Sequence, residues 1–170
     1  APDRTFTDTG ASYMGFAVSS LLANGMADDP DYAIAICGEG SFLMNPQILI
    51  DAVEHQVRGM IVILDNRRMG AISGLQFAQY GHEFATNDSV TVDYVALCNS
   101  VTGVQALTGG TRRETLIAAL EEAHRHTGLA VVHLPVYFGP HELGNLGAWG
   151  QWNVGNWCQE VQKEHQRLGL

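Results

Sequence analysis

Two short polar stretches each follow an apolar run, and both carry residue types suited to holding ions. The first, Gly38-Glu39-Gly40-Ser41-Phe42, comes after Tyr32–Cys37 (YAIAIC). The second, Asp65-Asn66-Arg67-Arg68-Met69-Gly70-Ala71-Ile72, comes after Met60–Leu64 (MIVIL). A flexible turn, a carboxylate and a hydroxyl at the start of a helix suit a phosphate bridged by a metal. Backbone N–H groups and the helix dipole hold the anion, while the carboxylate holds the cation. Taken alone, Gly-Glu-Gly after a strand also reads as a plain turn. It is not a dinucleotide fingerprint, because Leu43 stands where GxGxxG needs its third Gly, and no GxxxxGK[ST] occurs. A nicotinamide-binding domain is disfavoured on that ground.

The elements that must position these stretches are legible in outline. Apolar spacing predicts a helix over Met14–Met26, broken at Asp28-Asp29-Pro30. YAIAIC and MIVIL are too uniformly apolar for one-sided strands and are expected to be buried parallel strands. Asn45-Pro46 reads as an N-cap followed by Pro at the first helical position, opening a helix to about Val57 with Leu49, Ala52, Val53 and Gln56 on one face. A short helix is expected over Ile72–Gln79, a loop over Tyr80–Asp93, a helix over Val92–Val101 and a strand over Val104–Leu107. Thr111–His126 is amphipathic, and Leu129–Val136 reads as the last strand. Strands alternating with helices imply a doubly wound parallel α/β sheet with helices on both faces. In such sheets ligands collect beyond the carboxyl ends of the strands, where both polar stretches fall.

Composition narrows the partners. Nine Lys+Arg against 18 Asp+Glu leave a net charge of −9, and only 16% of the 170 residues are charged. So few and scattered basic residues disfavour nucleic acid. No apolar stretch approaches the ~20 residues of a membrane span, and no charged-then-apolar leader opens the chain. Cys37, Cys98 and Cys158 form no CxxC pair, which argues against a disulfide framework and for a reducing, cytoplasmic setting. One domain over 1–170 is expected, with 141–170 as a tail. The poverty of charge suggests that part of the surface faces a partner.

Spacing sharpens the chemistry. Residues 41–64, 24 in all, separate Gly40 from Asp65-Asn66. This resembles the signature of thiamine diphosphate (ThDP) enzymes, Gly-Asp-Gly followed after an interval of this length by Asn-Asn. Tyr13-Met14-Gly15-Phe16 is similar to the family's Met-Gly-Phe segment. The likeness is nearest to the C-terminal, diphosphate-binding domain of acetolactate synthase-like enzymes. It extends to trihydroxycyclohexanedione hydrolases, whose text is similar around Ile72-Ser73-Gly74-Leu75-Gln76.

The resemblance implies roles position by position. Glu39 and Asn66 would bind Mg²⁺ by side chain and Arg68 by its backbone carbonyl. Gly40 and Ser41 would hold the diphosphate, flanked by Gly38 and Phe42, with Met69, Gly70, Ala71 and Ile72 lining the cofactor beyond Asn66. Met14 would sit under the bend of the cofactor and keep its rings in a V, with Ser12 and Tyr13 beside the aminopyrimidine. The implied activity is decarboxylation or C–C cleavage of a 2-oxo acid or diketone, followed by carboligation. C–C hydrolysis of a cyclic dione and a non-catalytic regulatory module are the alternatives.

Several positions depart from the family pattern. Glu39 replaces the usual Asp and adds a methylene to a metal ligand; metal and cofactor are still expected to bind. Asp65 replaces the first Asn. Ile72 stands where pyruvate decarboxylases place a catalytic Glu, and Leu75 where acetolactate synthases often have Trp. The glutamate that activates the pyrimidine belongs to a separate domain that these 170 residues do not match. The resemblance therefore implies either a pyrimidine-binding partner subunit in an α₂β₂ assembly, the favoured expectation, or a fragment of a longer chain.

Other residues admit two readings each. Arg67 and Arg68 would grip a substrate carboxylate or are solvated loop arginines. His82 and Glu83 would exchange protons with substrate or are structural. His124 and His126 read as surface residues, and His133 as a satisfied core or interface histidine. Trp149, Trp152 and Trp157 would close a lid over the substrate or dock the tail on the partner.

Overall fold

The computed structural model describes residues 4–6, 13–86, 90–136, 163 and 167. In chain order the elements are α1 (Phe16–Gly25), β1 (Ala33–Gly38), α2 (Glu39–Phe42), α3 (Ile48–Glu54), β2 (Gly59–Asp65), α4 (Gly70–Tyr80), α5 (Tyr94–Asn99), β3 (Gln105–Thr108), α6 (Arg113–Arg125) and β4 (Leu129–Pro135). They fall into two compact units. The first comprises Ala1–Asp65 and Val92–Val136; the second comprises Asn66–Thr91 and Tyr137–Leu170.

In the first unit the four strands make one sheet in the order β1-β2-β4-β3, every pair parallel. β2 is buried along nearly its whole length because it is an inner strand with both faces covered. Ile61 and Ile63 of β2 face a core built with Val18 and Leu21 of α1, Ile48, Leu49 and Ala52 of α3, and Cys98 of α5. Met60 and Val62 face the opposite way, onto Ala119 and Ala123 of α6. Helices on both faces of a parallel sheet are what the alternating pattern predicts.

β1 departs from its expectation. Ala35 and Cys37 are buried, but Ile34 and Ile36 are 55% and 62% exposed, so only one face of this strand is covered. The cause is strand order. Ile34 and Ile36 pair in register with Met60 and Val62 on the α6 face, at the sheet's edge among the described residues. Among the described residues α6 packs chiefly over β4, β3 and β2.

Helix ends are set by local chemistry. Asp93 caps α5, its carboxylate accepting from Ala96 N–H at 2.9 Å. Asn45 does not cap α3, which starts at Ile48; instead its Nδ2 donates to Ser19 Oγ at 3.4 Å. α3 stops at Glu54, short of the expected Val57, in a Schellman arrangement. Val57 N–H donates to Ala52 O at 2.8 Å and Gln56 N–H to Val53 O at 3.1 Å, with Gln56 at φ 54°.

Candidate functional site

The first unit brings two of the predicted segments together. Glu39, only 3% exposed, opens α2 directly after the last residue of β1. Two residues on, Ser41 Oγ accepts the backbone N–H of Gly15 at 2.8 Å. Gly15 sits at φ 92°, a conformation natural to Gly, and caps the start of α1. The Met-Gly-Phe segment is thus anchored on the residue after Gly40. Tyr13, Met14 and Phe16 stay 73%, 43% and 39% exposed beside that anchor. Ser41 keeps its own O–H as a donor.

β1 and β2 run in register from Ala33↔Gly59 to Gly38↔Leu64, so Glu39 and Asp65 follow the ends of adjacent parallel strands. The negative charge of Glu39 is felt along β1: burial first, and then this charge, push the Cys37 thiol up to about 11. Asp65 is itself buried. Its Oδ2 accepts from His133 Nε2 at 2.9 Å, and its backbone carbonyl accepts from Val136 N–H at 2.9 Å. His133 is therefore the satisfied core histidine of the two readings, and its partner is the residue before Asn66.

The second unit has its own internal order. Asn66 Oδ1 accepts Arg68 N–H at 3.1 Å, an Asx-turn across Arg67, whose φ is 56°. Arg68 carbonyl accepts Gly70 N–H at 2.9 Å. A Cβ on Gly70 would lie 3.0 Å from Asn66 Nδ2, so the missing side chain is what leaves room for the Asn66 carboxamide. α4 begins at Gly70, two residues before the expected Ile72, and places Ala71 and Ile72 exposed on its first turn.

One expectation is corrected here. The Arg68 guanidinium does not stand ready for a substrate carboxylate: it is buried, with Nη2 bonded at 2.5 Å to both Ser73 Oγ and Glu83. Burial of a guanidinium requires such a counter-charge. The same ion pair engages the Glu83 carboxylate. His82 is exposed, with Nδ1 at 2.7 Å from Tyr80 carbonyl and its ring 4.5 Å from that of Phe84. A carbonyl only accepts, so Nδ1 carries the proton and Nε2 is the basic nitrogen of the neutral ring. Arg67 is half-buried. Ser12, the tail 141–170 and its three tryptophans lie outside the described residues.

The donors fit a hard divalent cation. Among the described residues no group of three or more His, Cys, Asp or Glu could hold a metal by itself. Taken unit by unit, the buried carboxylate of Glu39 in the first, and the carboxamide oxygen of Asn66 and the backbone carbonyl of Arg68 in the second, are oxygen types that Mg²⁺ prefers. Sequence reasoning missed Tyr94 and Ser73, because no motif marks an aromatic ring behind a histidine or a hydroxyl behind an arginine.

Comparison with known proteins bears on the family and the fold. Residues 1–134 match the family described as thiamine pyrophosphate enzyme, C-terminal TPP binding domain. The chain is 29% identical over 177 residues to a 3D-(3,5/4)-trihydroxycyclohexane-1,2-dione hydrolase of Lacticaseibacillus casei, covering 98% of this chain and 27% of that protein. It is 31% identical to the protein of the same name from Halalkalibacterium halodurans, over 91% of this chain and 24% of the relative. The chain thus spans about a quarter of the length of these curated relatives. Among solved structures, a thiamine diphosphate-dependent 4-hydroxybenzoylformate decarboxylase of Rhodococcus jostii RHA1 superposes with a TM-score of 0.67 at 21% identity, over 74% of this chain and 24% of that one. Benzoylformate decarboxylase from Polynucleobacter necessarius gives 0.65 at 20%, over 76% and 25%. At these identities the two structures establish the fold.

Proposed function

Since the chain belongs to the thiamine pyrophosphate enzymes, as their C-terminal TPP-binding domain, we propose that it is the diphosphate- and Mg²⁺-binding half of an enzyme acting on a 2-oxo acid or diketone. The observation that carries this reading is the pairing at one sheet end. A buried carboxylate opens α2, and the hydroxyl two residues later holds the Met-Gly-Phe segment. When bound, ThDP supplies the nucleophilic carbon and electron sink that let a bond beside a carbonyl break or form. Glu39, the Asn66 side chain and the Arg68 carbonyl would hold the cation. Gly40 and Ser41 would bind the diphosphate, and Met14 would support the cofactor's bend. Arg67 is the remaining candidate for a substrate carboxylate, and His82 Nε2 the remaining candidate base.

The reaction proposed is decarboxylation or C–C cleavage followed by carboligation. The relatives' printed names favour a second reading, hydrolytic cleavage of a cyclic dione. In both, the activating carboxylate comes from a pyrimidine-binding domain outside the matched residues. That domain would lie on a partner subunit in an α₂β₂ assembly or elsewhere in a longer chain, and would meet this one through the exposed Tyr13, Met14 and Phe16.

Turnover distinguishes these readings. The chain, co-expressed with a pyrimidine-binding subunit, is supplied with ThDP, Mg²⁺ and a panel of 2-oxo acids or a cyclic trihydroxydione. CO₂ release with a carboligation product supports the first reading, and a ring-opened acid the second. Saturable cofactor binding with no turnover of any substrate would instead mark a regulatory module.

A further inference from the structure

A row of buried side chains connects the two strand ends that carry the proposed metal ligands. Phe42, the last residue of α2 and three positions after Glu39, is fully buried with its ring 6.2 Å from that of Tyr94, edge to face. Tyr94, 2% exposed at the start of α5, packs on the imidazole of His133 at 5.2 Å with the rings tilted by 33°. His133 Nε2 donates to Asp65 Oδ2 at 2.9 Å, the two side chains being 15% and 10% exposed. Asn66 follows Asp65 directly in the chain. The row lies wholly within the first unit and joins α2, α5, β4 and β2.

The Asp65 end of the row is fixed from behind. His133 carbonyl accepts Gly109 N–H at 2.7 Å, and its β4 backbone pairs with both β2 and β3. The Asp65 carbonyl, part of the peptide bond into Asn66, accepts Val136 N–H at 2.9 Å. Asp65 is thereby held by side chain and backbone at once, by His133 of β4 and by Val136 just after it. A hard cation at near-octahedral geometry tolerates little displacement of its ligands. Groups that orient ligands from behind control metal affinity nearly as strongly as the ligands do.

We propose that His133, backed by Tyr94, is a positioning residue. Its hydrogen bond to Asp65 sets where the chain enters Asn66, and the ring stack sets that point relative to α2 and Glu39. This rests on the reading of Glu39 and Asn66 as ligands of a Mg²⁺–diphosphate group. Asp65 is then a strut, not a ligand: its carboxylate is turned to His133 within the sheet end.

The test is calorimetric titration of Mg²⁺ with ThDP into the full chain together with its pyrimidine-binding partner, for wild type, His133→Ala and His133→Gln, each paired with a thermal unfolding curve. Gln offers a donor at the Nε position, and Ala offers none. The expected result is affinity weakened about 10- to 100-fold in His133→Ala and restored to within a few-fold of wild type in His133→Gln. A purely structural role would lower the unfolding temperature while leaving the affinity of the folded protein unchanged. Equal affinity in wild type and His133→Ala, or equal weakening in Ala and Gln variants, overturns the proposal. Should His133→Ala not fold, His133→Asn, which keeps an amide without the reach, takes its place with the same expectation. Failure of the wild type itself to bind ThDP would refute the underlying cofactor reading, and this inference with it.

Discussion

Replacing Arg68 with Met tests whether its guanidinium organises the segment after Asn66 or waits for substrate. The side chain keeps its length and loses its charge. Ser73, 1% exposed, and Glu83, whose side chain is 18% exposed, then lose their shared partner. Removing one member of a fully buried ion pair costs about 3–5 kcal/mol. Partial hydration of Glu83 reduces that here to about 2–3 kcal/mol. The bond from Met69 N–H to Thr86 carbonyl, 2.8 Å, closes the same segment and reports on it. If local opening is made easier by that amount, the Met69 amide exchanges with solvent about 30- to 150-fold faster. Hydrogen exchange read by NMR or mass spectrometry measures this directly. The double variant Arg68→Met/Glu83→Leu, which leaves no orphaned charge, should recover most of the protection. Unchanged exchange in the single variant, or a double variant as labile as the single, would refute the pairing as the organising contact.

Further substitutions probe other levels. Gly70→Ala brings a Cβ to 3.0 Å from Asn66 Nδ2, and should weaken Mg²⁺-dependent ThDP binding several-fold with little loss of thermal stability; an unchanged affinity would count against Asn66 as a ligand. Ile61→Ala empties a site of 0% exposure in β2 and should cost about 2–5 kcal/mol in urea unfolding; under ~1 kcal/mol would show the core described here to be wrong. Burial pushes Cys37 up to about 11 and Cys98 to about 12, so both thiols stay protonated and slow toward disulfide reagents at pH 8. In a Cys158→Ser variant no fast-reacting thiol should appear until denaturant is added. Because these acids lose their protons at higher pH when folded than when unfolded, they make stability fall as pH rises above about 9. Rising stability between pH 9 and 11 would contradict their burial.

Sequence pattern carried the helices and strands well where packing is symmetrical. MIVIL is uniformly apolar and is indeed buried on both faces of β2. YAIAIC has the same texture, yet Ile34 and Ile36 are exposed, because a one-strand difference in sheet position decides whether α6 reaches them. Strand order is a tertiary property that no local run encodes. α3 overshot in the reading because its stop is made by Gln56 at φ 54°, without the Gly that normally announces such an end. The proposed ligand residues Glu39 and Asn66 were legible because the motif fixes their interval, even though Glu39 departs from its usual Asp. Their supports were not. Arg68 meets Glu83 across 15 positions and His133 meets Asp65 across 68, contacts that only the folded chain creates.

The central claim is that Glu39 helps hold a cation that in turn holds a diphosphate. Titrating ThDP into the chain with its pyrimidine-binding partner, with and without Mg²⁺, tests it directly when repeated on Glu39→Ala. Saturable binding, one ThDP per chain, that requires Mg²⁺ and is lost in Glu39→Ala is the predicted result. Binding that is absent in wild type, indifferent to Mg²⁺, or undiminished in Glu39→Ala would contradict the account.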